Sequence, residues 1–245
     1  MTAFPYRLSG DDRDMPRLGV IVLQVDETIE QDFRRLFAPE SAKIHVTRIP
    51  SGAELTPDTI AEMAGNLTQA ASLLPEAEFD VIAYACTSGT TLIGADKVAE
   101  LVKVGRKTPH VTNPLTAAVK AIRHVGANSV AIVSPYIPAV STPIRKAFIA
   151  AGFDVPMSIS FGERVESSVA RIDPDSIRQA ALKAVTDSDP DCIFLSCTNL
   201  RTLDIIEDLE AETGRPVLSS NMVLAWHMAS LAGLGGVSAK ARLLG

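Results

Sequence analysis

Two stretches of this sequence are near copies of one another, and their likeness leaves few folds open. Asp80-Val-Ile-Ala-Tyr-Ala-Cys86-Thr87 and Asp191-Cys-Ile-Phe-Leu-Ser-Cys197-Thr198 each run from an acid through five mostly apolar residues to Cys-Thr. Ahead of them stand Thr56-Pro57-Asp58-Thr59-Ile60 and Asp173-Pro174-Asp175-Ser176-Ile177. Both read as helix starts, with a capping residue, proline at the first helical position and an acid in the first turn. Behind them come two proline-led strands, Pro109-His-Val-Thr-Asn113 and Pro216-Val-Leu-Ser-Ser220. Arg17-Leu-Gly-Val-Ile-Val-Leu and Asn128-Ser-Val-Ala-Ile-Val-Ser each open a half with a buried strand. Elements recurring in one order mark a duplicated structural unit.

Apolar, β-branched runs at 18–23, 43–49, 81–85, 129–133, 154–160, 192–196 and 216–219 read as strands, with amphipathic stretches between most of them. Strands that are apolar throughout, rather than alternating, are covered on both faces, so the fold class is α/β with parallel sheets in three-layer sandwiches. The repeat predicts two pseudo-symmetric α/β lobes with the active site in the cleft between them. The first takes 17–113 plus 219–233, its last helix returning to it, and the second takes 114–218. Residues 1–16 and 234–245 are terminal extensions.

In open parallel sheets, ligands bind beyond the carboxyl ends of the strands, where helix N-termini offer unpaired N–H groups. Four strand ends carry suitable chemistry: Gln24-Val25-Asp26-Glu27, Cys86-Thr87-Ser88-Gly89-Thr90, Ser134-Pro135-Tyr136 and Cys197-Thr198-Asn199. Facing lobes bring Cys86 and Cys197 to one cleft from opposite sides, each expected at a helix start, where the thiolate is favoured. Two such thiols can take a proton from one face of a carbon and return one on the other, or one can add as a nucleophile. At least one is expected to have a low pKa, giving a resting pair of one thiolate and one thiol. Cys192, inside its strand, reads as a small buried hydrophobe. Thr87, Ser88, Thr198 and Asn199, with nearby N–H groups, are expected to hold a carboxylate, and the Tyr136 phenol to donate to it. Helix capping would also select Thr87, Ser88, Asn199 and Asp26.

Other chemistries lack their residues. Gly-x-Gly-x-x-Gly after the first strand, a Walker loop, Gly-x-Ser-x-Gly, Cys-x-x-Cys and His-Glu-x-x-His are all missing from the sequence, and the four histidines have no metal-ligand spacing. We expect no metal and no cofactor. With 23 Lys+Arg against 29 Asp+Glu, a net charge of −6 and no basic patch, a nucleic-acid partner is not expected. The proline-broken first 17 residues do not read as a signal peptide, and no apolar run reaches membrane-spanning length. Three cysteines, an odd number, argue against a disulfide framework. The expectation is a cytoplasmic protein with no membrane partner and free thiols.

Paired Cys-Thr strand ends in a duplicated α/β chain resemble the aspartate/glutamate racemase superfamily. Gly19-Val-Ile-Val-Leu-Gln-Val-Asp26-Glu-Thr-Ile-Glu30 is similar to the opening motif of its maleate isomerase and arylmalonate decarboxylase branch. Tyr84-Ala-Cys86-Thr87-Ser88, Ile93-Gly94-Ala95-Asp96-Lys97-Val98, Phe194-Leu-Ser196-Cys197-Thr198 and Pro216-Val-Leu-Ser-Ser-Asn221 resemble the ectoine-utilisation protein A group. The resemblance places Cys86 and Cys197 on the two catalytic cysteines. It places Thr87, Ser88 and Tyr136 on positions that hold a carboxylate and its enediolate in arylmalonate decarboxylase. That decarboxylase carries glycine at the position of Cys86, and maleate isomerases usually carry asparagine at that of Asp26. Ionised aspartate accepts hydrogen bonds but cannot donate, so an acid there suits a substrate amine or orients a thiol. The resemblance implies a cofactor-independent isomerase or racemase of a small carboxylate or amino acid, an ectoine-breakdown intermediate included, and a homo-oligomer. Maleate cis–trans isomerisation, arylmalonate-type decarboxylation and non-catalytic carboxylate binding remain the alternatives.

Overall fold

The computed structural model of the chain describes residues 3–8, 15–54 and 56–244. The first half contains β1 (Arg17–Leu23), α1 (Ile29–Leu36), β2 (Lys43–Ile49), α2 (Pro57–Ser72), β3 (Val81–Ala85), α3 (Thr87–Ile93), α4 (Ala95–Gly105), β4 (His110–Thr112) and α5 (Pro114–His124). The second contains β5 (Val130–Ser134), α6 (Pro138–Ala150), β6 (Ser158–Ser160), α7 (Glu166–Val169), α8 (Pro174–Ser188), β7 (Cys192–Leu195), α9 (Leu203–Thr213), β8 (Val217–Ser219) and α10 (Ser220–Leu231). A short 3-10 turn at Arg242–Leu244 follows. The strands form two four-stranded parallel sheets in the same spatial order, β2-β1-β3-β4 and β6-β5-β7-β8.

The sequence repeat is a repeat of hydrogen bonding as well. The Arg17 N–H donates to Asp80 Oδ2 at 2.8 Å, and the Asn128 N–H donates to Asp191 Oδ2 at 2.9 Å, both across 63 residues. Each acid therefore fixes the start of the neighbouring central strand, which sets the register that carries Cys-Thr to the far end. The Asn128 N–H and then the Ser129 N–H, both donating to Oδ2, hold the Asp191 carboxyl below the usual carboxylate range.

Burial explains why the strands read as continuous apolar runs. Along β1, Leu18, Val20 and Val22 pack with Phe33 of α1 and Leu224 and Met228 of α10. Ile21 and Leu23 point the other way, into a cluster that runs through Tyr84 and Tyr136 to Phe148 and Phe194 of the second half. That shared core joins the two sheets. The exchange of helices does the same: α5, which follows β4, packs on β8, and α10, which follows β8, packs on β3 and β4. The last residues bind to both halves, the Ser238 N–H donating to the Leu36 carbonyl and the Arg242 N–H to Glu210 Oε2.

One strand departs from expectation. The run 154–160 was expected to pair throughout, whereas only Ser158–Ser160 joins the ladder, with an isolated bridge between Asp154 and Ser129. Pro156 interrupts it by removing a backbone donor. Among the described residues, no helix is long and apolar enough to cross a membrane.

Candidate active site

Cys86 ends β3 and is itself the N-cap of α3, its sulfur accepting the Gly89 N–H at 3.1 Å. Ser88 Oγ lies 3.5 Å from the same sulfur, and Thr87 Oγ1 shares a hydrogen bond of 3.0 Å with Ser220 Oγ at the head of α10. The capping expected of Thr87 or Ser88 is thus performed by the thiol. Gly89 is dictated by space rather than by backbone angle, because a Cβ there would stand 2.4 Å from Tyr84 Oη and 2.9 Å from Cys86 Sγ.

Cys197 corrects the expected symmetry. It ends the β7 segment but enters a turn, and α9 begins only at Leu203. Its sulfur faces the backbone N–H of Asn199 and the Tyr136 hydroxyl, both of which favour the thiolate. Tyr136 in turn feels both thiols. The next residue along, Thr198, donates from Oγ1 to the carbonyl of Ala85 at 3.3 Å, so the residues beside the two cysteines touch. The structure therefore gathers Cys86, Cys197 and Tyr136 around one solvent-excluded region between the sheets, the chamber, in which both cysteines act on the phenol.

Two acids share that chamber. Asp26 closes the loop after β1, its Oδ1 accepting the N–H groups of Thr28 and Ile29 at 2.9 Å each, while Oδ2 is buried with no hydrogen-bond partner. Glu166, which sequence reasoning missed, stands at the start of α7 and is only 2% exposed. Its N–H donates to the Ala53 carbonyl, and its Oε2 is also buried without a partner. Asn199 fixes the distance between these segments. Its Oδ1 accepts from the Glu27 N–H at 2.9 Å, and its Nδ2 donates to the carbonyl of Glu166 at 3.3 Å and of Val25 at 3.5 Å. Asn199 is thus occupied in positioning, whereas it was expected to bind the substrate carboxylate directly. Behind Asp26, Asn221 Nδ2 donates to Asp32 Oδ2 at 2.7 Å and to the Thr198 carbonyl at 2.8 Å.

Burial dominates the titration of these groups. The Cys86 thiol is pushed up to about 11, burial outweighing the Ser88 and Gly89 bonds, and Glu166 raises it further. Cys197 is driven well above its usual value by burial and then by Glu166, and Cys192 is pushed up to about 12 by burial. Burial therefore opposes the expected resting thiolate at both positions: the favourable N–H groups are present, but desolvation of the charge outweighs them. Burial likewise raises Asp26, moves Asp32 to about 6, and moves Glu166 to about 8.

Glu166 gives a direct test of this electrostatics. Its folded pKa of about 8 lies above its ordinary 4.5, so its protonation stabilises the fold fully below the lower value, and that contribution is lost as pH rises through the higher. Glu166→Gln, which keeps the shape without the charge, should therefore be more stable than the parent at about pH 9, by roughly 3–5 kcal/mol, with the gap closing toward about pH 5. Urea unfolding at both pH values checks it, and a gap independent of pH would contradict a buried carboxyl.

The rim of the chamber is held by contacts between the halves. Glu54 and Val165 form an antiparallel bridge, and ion pairs link Arg164 to Glu54 at 3.3 Å and Arg171 to Glu27 at 2.6 Å. Cys86 and Cys197 are 3% and 4% exposed, so both sulfurs are closed off from solvent. A depression of about 550 Å³ near Arg17, Asp80 and Pro109 lies at the opposite ends of the strands and holds neither thiol.

Comparison with known proteins agrees with this architecture. A family profile described as arylmalonate decarboxylase matches residues 42–244. The arylmalonate decarboxylase of Bordetella bronchiseptica is 30% identical over 232 residues, covering 92% of this chain and 93% of that protein. The maleate isomerase of Geobacillus stearothermophilus is 25% identical over 219 residues, covering 83% and 86%. Among solved structures, the maleate isomerase of Pseudomonas putida S16 with maleate superposes with a TM-score of 0.85 at 26% identity, covering 94% of this chain and 97% of that one. The relatives are enzymes, isomerases and a decarboxylase.

Proposed function

The chain belongs to the arylmalonate decarboxylase family, and on that premise we propose that it is a cofactor-independent isomerase of a small carboxylate, acting through Cys86 and Cys197. One observation carries the reading: two buried thiols from symmetry-related strand ends act on the same Tyr136 phenol, Cys197 through a hydrogen bond and Cys86 through its charge. A single proton donor would need only one of them.

For a racemase, one cysteine as thiolate takes the proton from the carbon beside the carboxylate, breaking C–H and forming S–H. The electron pair passes into an enediolate, and the opposite thiol delivers its proton to the other face, becoming the thiolate. For a cis–trans isomerase, one thiolate adds to a C=C bond while the other cysteine protonates the neighbouring carbon. Rotation about the new single bond and reversal of both steps restore the alkene and both sulfurs. Thr87, Ser88 and Tyr136 supply hydroxyls toward the carboxylate, whose hydrogen bonds strengthen as charge moves onto oxygen. Since burial raises both thiols, substrate entry must supply the conditions for ionising one.

Decarboxylation is the second reading, favoured by the 30% identity to the Bordetella enzyme. There the C–C bond to a carboxylate breaks, carbon dioxide leaves, and Cys197 protonates the enediolate held by Thr87, Ser88 and Tyr136. Incubation with mono- and dicarboxylates in deuterated water tests both. Isomerisation or racemisation conserves carbon, and racemisation places deuterium on the reacting carbon. Decarboxylation releases carbon dioxide. Binding without either change, unaffected by Cys86→Ser and Cys197→Ser, would replace both readings with a carboxylate-binding protein. The ectoine-utilisation resemblance adds 2,4-diaminobutyrate derivatives to the panel.

A further inference from the structure

We infer that Asp26 and Glu166 together form a receptor for the ammonium group of an amino-carboxylate substrate, holding that group beside the carbon that Cys86 and Cys197 attack. The inference rests on the proposal that the two cysteines carry the reaction, and it narrows the substrate class to carboxylates bearing an amine.

The geometry comes first. Asp26 comes from the first half and Glu166 from the second, and the Asn199 amide joins their segments by donating to the Val25 and Glu166 carbonyls; Asp26 acts electrostatically on Glu166, and both act on Cys197. Each presents one buried oxygen, Asp26 Oδ2 and Glu166 Oε2, with no hydrogen-bond partner. Both residues are 2% exposed, so water does not stand in for the missing partner at the surface. An isolated carboxylate in such a place is costly, and a carboxyl with a free acceptor is a site for a donor.

The protein itself supplies little positive charge there. Arg48 is the cation that acts on Asp26, but its guanidinium donates to the main-chain carbonyls of Leu23, Gln24 and Asp26 at 3.0–3.1 Å and pairs with Glu30. It therefore braces the loop backbone rather than meeting Oδ2. Apart from the neutral Thr198 hydroxyl beside Asp26 and the Asn199 amide beside Glu166, the neighbours are acids or weak acids: Asp32 beside Asp26, and Tyr84, Tyr136, Cys86 and Cys197 around Glu166. A second carboxylate on the substrate would meet like charge from both sides. An ammonium brings three donors to two waiting acceptors and forms charge-assisted bonds with each. It also offsets the part that Glu166 adds, after burial, to raising both thiols, so binding of the correct substrate would itself favour a thiolate.

A protonated Glu166 could instead donate to a substrate carboxylate, and substitution separates the two roles because glutamine keeps a donor and loses the charge. Titration calorimetry would compare aspartate with succinate, and 2,4-diaminobutyrate with butyrate, on the parent, Glu166→Gln, Glu166→Asp and Asp26→Asn. The receptor predicts that each amino acid binds the parent at least tenfold more tightly than its amine-free partner. It also predicts that Glu166→Gln and Asp26→Asn each remove most of that preference, and that Glu166→Asp keeps part of it. Equal or tighter binding of the amine-free acids, an amine preference that survives Glu166→Gln, or binding of none of the four overturns it. Thiol-dependent turnover of an amine-free acid such as maleate would overturn the receptor while leaving the cysteine chemistry standing. An amine preference lost in Glu166→Gln, with no thiol-dependent exchange in any carboxylate, would instead support the receptor and count against the chemistry.

Discussion

Replacing either Cys86 or Cys197 alone with serine should lower turnover by about 10²–10⁴-fold, the usual worth of a positioned proton donor or acceptor. A serine hydroxyl keeps nearly the same volume but ionises far less readily than a thiol, and the chamber already opposes ionisation at both positions. In a two-thiol reaction each sulfur works on one face of the same carbon or one end of the same double bond, so losing either stops the cycle. The double variant should therefore be little worse than each single one, as for residues that act as a unit. Cys192→Ser is the control. Its sulfur lies in β7, donating to the Ser129 carbonyl at 3.6 Å, and serine can make the same contact without touching the chamber. A decarboxylase gives a different pattern, in which Cys197→Ser abolishes turnover and Cys86→Ser leaves most of it. Turnover of whichever carboxylate the deuterium screen identifies, measured for all four variants, decides between them.

Much of this site was legible because its parts are strand ends. An apolar run flanked by helical signals fixes where a strand stops, and the residue that follows must face the carboxyl edge of the sheet. Asp26, Cys86, Tyr136 and Cys197 were all found this way. Two features were not. Glu166 sits in 161–169, a run with no apolar period, where a charged residue among polar neighbours reads as a solvated surface. Its burial is created by distant partners, the Ala53 carbonyl and Asn199, that no local pattern contains. The thiol pKa values escaped for a related reason. Sequence shows the N–H groups near a strand end but not how completely two halves close over them, and at Cys86 and Cys197 closure outweighs the donors. The turn after Cys197 shows a third limit: Thr198-Asn199-Leu200 could have begun a helix as Thr87-Ser88-Gly89 does. In the folded chain the Asn199 side chain is committed to Glu27 and Glu166 instead.

Gly89→Ala should cost at most about 2 kcal/mol of stability but about 10²-fold in turnover, a split that distinguishes a residue shaping the site from one holding the fold. In a helix, alanine gains about 1 kcal/mol over glycine by intrinsic propensity, while forcing a methyl into a filled core costs about 1–3 kcal/mol. The net cost is therefore up to about 2 kcal/mol. The methyl itself has nowhere to go, since it would lie 2.4 Å from Tyr84 Oη and 2.9 Å from Cys86 Sγ. Tyr84 is fully buried within the core cluster, and its hydroxyl reaches Met63 Sδ at 3.6 Å, so the ring has little room to retreat. The thiol has to yield, by rotating away from the Gly89 N–H that now holds it at 3.1 Å. A displacement near 1 Å at a reacting atom costs about 10²-fold. Gly65→Ala in α2 is the matched control, because a Cβ there meets nothing within 4 Å and should only stabilise, by about 0.5–1 kcal/mol, with turnover unchanged. Urea unfolding and steady-state rates on both variants give the comparison. Full activity in Gly89→Ala would mean that the Cys86 sulfur need not occupy this position for the reaction to proceed.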